Sequence, residues 1–540
     1  MHKAAKDIKE QEAQKESLGE APGVLAKRNI VQPVPWCPSP PADNADIDPS
    51  CDPDNPRKIS YNDISKANAL IHEEISETPL LRSKSCKQFE MEVYYKLEIF
   101  HQTGSFNERK AFYALSMLSE EQRSRGVITA SLGNWALALA YYGQRLKIPV
   151  TVVLPSNSSI IYVGRCHELG AFVVSYGENL DEARGQAFIM LKKRGQVYIN
   201  GYDHPHVIAA SGSIGVEILR QLPQADVIMA PVGGGGLLAG VAAAVKHMKP
   251  EILVYGIESN KSRSFFKAME NDGPQKTAVT RGLATSLAVP IAGYNAYHTA
   301  KPLVDKLVLV DDDWIARAIL HLAEEEKLVV EGAAAASLGA FMAIPDVLPE
   351  LRRKSVVCIL TGGNIETITL SRCLERAKAI EGRIIKLSVR VHTNDPHEHL
   401  RVLSMIANVG GNIINYLAEK AMPEEDEYDI NYLKILCETK GIEHACTLKR
   451  VMERLFPNQC KFLEEPFSPI PICACFPRSE DFDEFCDPDN PRTITYDDAV
   501  NAQGRIRKYM PETPYTISHK QRDFAMNIYY KLETVQKTGR

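Results

Sequence analysis

The chain has 540 residues, 44% of them hydrophobic and 24% charged, with a formal net charge of −5. That balance suits a globular protein of about two to four domains, and nothing in it argues for the basic face that a nucleic-acid partner requires, so none is expected. No apolar run approaches the roughly 20 residues of a membrane span, and the charged N-terminus MHKAAKDIKEQEAQKESLGE has no secretory apolar core.

A cytoplasmic location is therefore expected. The twelve cysteines form no CxxC pair and show no zinc spacing, so they read as buried thiols. Residues 1–50 run from a charged stretch into the Pro-rich VQPVPWCPSPPADNADIDPS, and are expected to be a disordered leader.

Between 51 and 378, short apolar runs alternate with stretches of helical composition. The runs at 93–97, 127–131, 150–154, 172–175, 227–230, 253–256 and 355–360 read as strands. The stretches at 134–146, 181–194, 213–221 and 237–246 read as helices. Such alternation predicts α/β architecture with parallel sheets and helices on both faces, and ligands then bind where strand ends meet helix N-termini.

Residues 384–456 differ. IIKLSVRV alternates as a strand does, LRVLSMIANVG reads as a helix ended by glycine, NIINYLAEKA and DINYLKILCE read as strands, and HACTLKRVMERLF is a basic amphipathic helix. This βαββα order, opened by Asn394-Asp395-Pro396, resembles an ACT regulatory domain. Such domains place a glycine after the proline, where this chain has His397; the departure favours a structural dimer interface over effector binding.

A linker is expected at 457–485, followed by an internal repeat. CDPDNPRKISYNDI at Cys51 recurs as CDPDNPRTITYDDA at Cys486, and residues 51–105 align with 486–540 without a gap, at 25 identities in 55 positions. The second copy stops at Arg540, where the first enters its chemical motif. It reads as the truncated start of a second module in a longer tandem, the plainer alternative being a fragment.

Chemistry concentrates in a few motifs. Gly233-Gly234-Gly235-Gly236 lies between a strand and a helix, where successive N–H groups can converge on a phosphate. It lacks the Lys-Ser/Thr of a P-loop. In chain order stand Thr78-Pro79-Leu80, Lys96-Leu97-Glu98, Thr103-Gly104-Ser105-Phe106-Asn107-Glu108-Arg109, Ser131-Leu132-Gly133-Asn134, Asp203-His204-Pro205 and Thr361-Gly362-Gly363-Asn364.

Together with the four glycines, this ordered set resembles the serine/threonine dehydratases (ammonia-lyases), fold-type II enzymes that use pyridoxal 5′-phosphate. The resemblance implies two three-layer parallel-sheet subdomains, the smaller (about 113–205) inserted in the larger. It implies that Gly233, Gly234, Gly235 and Gly236 hold the cofactor phosphate and that Phe106 sits against the pyridine ring. Asn134 would bond the ring 3′-oxygen, Ser131 and Asn134 a substrate carboxylate, and Thr361 the ring nitrogen. It implies deamination of L-serine or L-threonine to a 2-oxo acid and ammonia. Glu258, Ser262 and Ser264 stand where relatives bind a monovalent or divalent cation, with a polar turn as the equal alternative.

The family motif carries a lysine where this chain has Asn107. That lysine holds the cofactor covalently and removes the substrate's α-proton, and an amide does neither. Lys110, one helical turn on, is the candidate substitute; Lys96 is a second, although intact members share it. Trp135 replaces a histidine, Ser211 a glutamine and Thr285 an aspartate. These departures gather in pocket motifs, so a catalytically impaired family member is expected. Partners are expected to be a small amino acid and either a second copy or an intact paralogue.

Overall fold

The computed structural model describes residues 48–84, 91–343, 349–392, 395–420 and 429–463, together with short strands at 472–474, 515–517 and 529–531. The expected leader thus lies almost wholly outside the described residues, as do most of the linker and of the second repeat. No helix among the described residues is long and apolar enough to cross a membrane.

Among the described residues, the larger sheet has seven strands. β1 (Leu80–Arg82) and β2 (Glu92–Leu97) form a hairpin at one edge. In the smaller sheet, β3 (Val127–Ala130), β4 (Val150–Leu154), β5 (Phe172–Ser175) and β6 (Val197–Tyr198) are all parallel, in the order β5-β4-β3-β6. The chain then returns to the large sheet through β7 (Val227–Val232), β8 (Leu253–Ser259), β9 (Lys306–Val310) and β10 (Ser355–Leu360). β2, β10, β7, β8 and β9 run parallel.

β7 explains the layering. All six of its residues are buried. Ile228 and Ala230 face one core with Leu238 and Val241 of the Gly236–Met248 helix, while Val227 and Met229 face a second core with Ala334 and Leu338 of the Gly332–Met342 helix. Side chains alternate across a strand, so a central parallel strand needs apolar residues at every position.

Every strand and helix expected from sequence in this region is present. β9 was not among them, although its Leu307–Val310 is wholly buried.

The C-terminal unit contains β11 (Ile384–His392), the Pro396–Asn408 helix, β12 (Asn412–Lys420), β13 (Ile430–Glu438) and the Ile442–Leu455 helix, in the βαββα order expected. β14 (Cys460–Phe462) then pairs antiparallel with β11, extending the unit into the stretch expected to be linker. β15 (Ile472–Ala474), from the same stretch, adds an antiparallel edge to β9. The linker expectation is corrected at these two places: each sheet had an open edge, and backbone hydrogen bonding satisfies it.

In the second repeat, β16 (Tyr515–Ile517) pairs with β17 (Tyr529–Lys531), Tyr515 opposite Lys531. The first copy pairs the corresponding residues, Leu80 opposite Lys96.

Beneath the pocket lies a buried ion network. Arg109 Nε and Nη2 donate to Glu98 at 2.7 and 2.9 Å, and its guanidinium also bonds Glu217. Lys96 Nζ donates to Glu217 Oε2 at 2.6 Å, to the Thr78 carbonyl at 2.7 Å and to Gln221 Oε1 at 3.0 Å. The two cations and two carboxylates balance, and Arg109 holds the Glu98 carboxyl well below the usual carboxylate range. Removing one partner strands buried charge. Glu217→Ala is therefore expected to lower unfolding free energy by about 3–5 kcal/mol in urea titrations, whereas a change within about 0.5 kcal/mol would show the network to be dispensable.

Candidate active site

The site lies where β7 ends. Gly235 has φ +93°, in the left-handed region, and the Gly236–Met248 helix starts immediately after it. A Cβ on Gly234 would overlap the Tyr202 ring, and one on Gly236 would overlap the Tyr202 carbonyl. Only glycine allows this close approach. The result is a bare backbone loop at a 13-residue helix N-terminus, a cradle fit for a phosphate. All four glycines line the same pocket as Phe106, Asn107, Lys110, Ser131, Asn134 and Thr361. The residues that the resemblance singled out for catalysis and cofactor binding are thus brought together.

The Asn107–Ser116 helix opens into the pocket. Its start is fixed by the Phe106 amide donating to the Thr361 carbonyl at 3.0 Å and by a bridge between Ser105 and Gly362. Asn107 Nδ2 donates to Ser105 Oγ at 3.2 Å. Lys110 Nζ donates to the Gly201 carbonyl at 2.9 Å and lies 4.3 Å from the centroid of the Phe106 ring and 5.4 Å from that of Trp135. Burial pushes its amine down to about 7. Lys96 points elsewhere, into the ion network, and takes no part.

Asn134 is held on both sides of its amide. Nδ2 donates to both Glu331 oxygens at 2.9 and 2.8 Å, and Oδ1 accepts from Tyr162 at 3.0 Å and from Asn364 at 2.9 Å. Burial pushes Glu331 up to about 7, against the pull of Asn134 and Ser286. Ser131 Oγ accepts the Gly133 and Ala136 amides at 3.0 and 3.1 Å and so caps the next helix; its own proton can still be donated.

Glu258, Ser262 and Ser264, where the alternatives were a cation site and a polar turn, are all buried. Glu258 Oε1 and Oε2 accept the Phe265 and Phe266 amides at 2.9 and 2.8 Å, so the carboxylate caps a helix. Burial pushes it up to about 8. Ser262 donates to the Leu287 carbonyl at 3.0 Å. Among the described residues, no group of three or more His, Cys, Asp or Glu is placed to hold a metal ion.

Sequence reasoning did not single out Glu331, Tyr202 or Arg184 as site residues, yet all three line the pocket. Glu331 directly precedes the Gly332 helix start, a detectable signal; Arg184 sits mid-helix and gives none. Trp135 has a definite seat: Nε1 donates to Thr129 Oγ1 at 2.8 Å, and its ring covers Gly201, where a Cβ would overlap it. His397 is exposed at the start of its helix rather than turned into a pocket.

A family model described as pyridoxal-phosphate dependent enzyme matches residues 71–362. An L-threonine ammonia-lyase of Thermotoga maritima is 32% identical over 397 residues, covering 73% of this chain and 97% of that protein. Among solved structures, the processed form of threonine deaminase isoform 2 from Solanum lycopersicum matches with a TM-score of 0.55 at 31% identity, over 60% of this chain and 96% of that one. Maize serine racemase matches with a TM-score of 0.56 at 26% identity, over 59% and 98%. A glycine cradle, a buried amine and a threonine hydroxyl share one pocket within the matched segment, and this chain belongs to the pyridoxal-phosphate dependent enzymes.

Proposed function

We propose that this chain binds pyridoxal phosphate and is an L-serine/L-threonine ammonia-lyase-type protein whose turnover is impaired at Asn107. One observation carries this: the phosphate cradle is intact while the residue that begins the catalytic helix is an amide. Gly233 to Gly236 would hold the phosphate, Phe106 would pack on the ring, and Thr361 would meet the ring nitrogen. When bound, the cofactor supplies an aldehyde and an electron-withdrawing ring, which together ease loss of an amino acid's α-proton and β-hydroxyl.

The chain's own residues then set the limits. With the cofactor bound, the neutral Thr361 hydroxyl would leave the ring nitrogen unprotonated, which suits β-elimination. Ser131 keeps a proton to offer a substrate carboxylate. The Asn134 amide is free for a ligand only if Glu331 releases it. Asn107 has no basic lone pair to accept an α-proton.

The C-terminal unit gives a means of pairing with a second copy or an intact paralogue. β12 is an edge strand, and its Ile414, Tyr416 and Leu417 are 50%, 55% and 62% exposed. Such an edge invites a partner strand.

Two outcomes test these points. With cofactor present, Asn107→Lys is expected to raise 2-oxo acid release from threonine or serine by about 10²–10⁴-fold, the usual worth of a positioned base; an unchanged rate in a folded, cofactor-loaded variant contradicts impairment at this residue. In sedimentation, the native chain is expected to form dimers that Leu417→Lys weakens, whereas a monomer at every concentration contradicts pairing through β12.

A further inference from the structure

The geometry points to Lys110 as a relocated covalent anchor: its Nζ, rather than any group at position 107, captures the aldehyde of pyridoxal phosphate. The inference rests on the cofactor-binding reading above and adds the atom that makes the bond.

Position is the first support. Residues three apart share a helix face, and Asn107 and Lys110 both line the pocket. Lys110 is the only lysine lining it among the described residues. The shift along the helix is about 4.5 Å, which a lysine stem can span.

The surroundings of the amine are the second. Its bond to the Gly201 carbonyl uses one N–H and leaves the nitrogen lone pair uncommitted. Phe106 and Trp135 flank it with apolar rings. Burial alone shifts its titration, and no carboxylate among the described residues pairs with it. Glu331, a carboxylate in the same pocket, is engaged by Asn134. Lys96 shows the contrast: it is equally buried but held by Glu217, a carbonyl and an amide, so it is unavailable as a nucleophile. Buried, unpaired amines are the ones that react with carbonyl compounds near neutral pH.

The departures from the family motif form the third. Asn107, Lys110, Trp135 and Ser211 all line this one pocket. Trp135 covers Gly201, whose carbonyl orients the amine, and Phe106 carries the other face. Taken together they are an exchange of position, with the amine moved one turn along the helix and walled by a new indole, rather than scattered loss.

The reaction balances without an oxidant or reductant. The neutral amine adds to the aldehyde carbon and a carbon–nitrogen bond forms. The carbonyl oxygen leaves as water with the two amine protons, which makes that bond double. The tether restores retention of the cofactor from a new direction, while Asn107 still offers no base to the substrate, so capture and impaired turnover coexist.

The test uses the full chain and pyridoxal phosphate itself. Equilibrium dialysis measures binding, and a parallel sample is reduced with borohydride, digested and mapped by mass spectrometry. The expected result is bound cofactor with the reduced pyridoxyl group on the peptide carrying Lys110, and loss of that adduct in Lys110→Met. Mapping the native chain stands alone if that variant fails to fold. Cofactor bound with no adduct, or with the adduct on Lys96 or another lysine, overturns the anchor and leaves the binding reading standing. No cofactor bound overturns both.

Discussion

Arg109 is completely buried, and three parts of the chain converge on it. Its guanidinium ties the Asn107–Ser116 helix to Glu98, just past β2, and to Glu217, near the end of the Pro205–Gln221 helix. Those bonds set the rotation of the Asn107–Ser116 helix, so that Arg109 faces inward to the network while Asn107 and Lys110 face the pocket. A buried arginine keeps its charge at any physiological pH, and desolvation makes it depend on both carboxylates. Because Lys96 shares Glu217, the charges balance only when every member is present. The pocket inherits its geometry from this balance.

Above the network, burial acts on two ionisable groups in opposite directions. It pushes the Lys110 amine down and the Glu331 carboxyl up, each to about 7. In a shared low-dielectric pocket both lean toward neutrality. Glu331 spends its oxygens on Asn134, whereas Lys110 has a carbonyl and two aromatic faces. The same physical effect therefore leaves a carboxyl tied to an amide and an amine with no carboxylate partner among the described residues, and the difference lies in their partners.

Much of this was legible in the sequence. Apolar runs such as Val227–Ala230 signal a strand of a buried parallel sheet, and the four glycines soon after it signal a phosphate loop. The ordered motifs give the family, and Asn107 stands where the family motif has a lysine. What was not legible depends on distance along the chain. The Gly201 carbonyl that receives Lys110 lies 91 residues away, and Glu331 meets Asn134 across 197. Trp135 looked like a lost histidine until its seat on Gly201 and its bond to Thr129 appeared. Glu258 read from sequence equally as an ion ligand or part of a polar turn, and the Phe265 and Phe266 amides that it accepts became visible only in the fold. β14 and β15 arose from a Pro-rich stretch with little strand character, because exposed sheet edges impose pairing that local sequence does not signal.

The pocket keeps a glycine cradle fit for a phosphate although Asn107 stands where the family motif has a lysine. A crystal structure of the full chain grown with pyridoxal phosphate tests it most directly. The phosphate is expected within hydrogen-bond distance of the Gly233–Gly236 amides. Phosphate density elsewhere, or a pocket filled by Lys110 and Trp135 with no cofactor beside them, would contradict it.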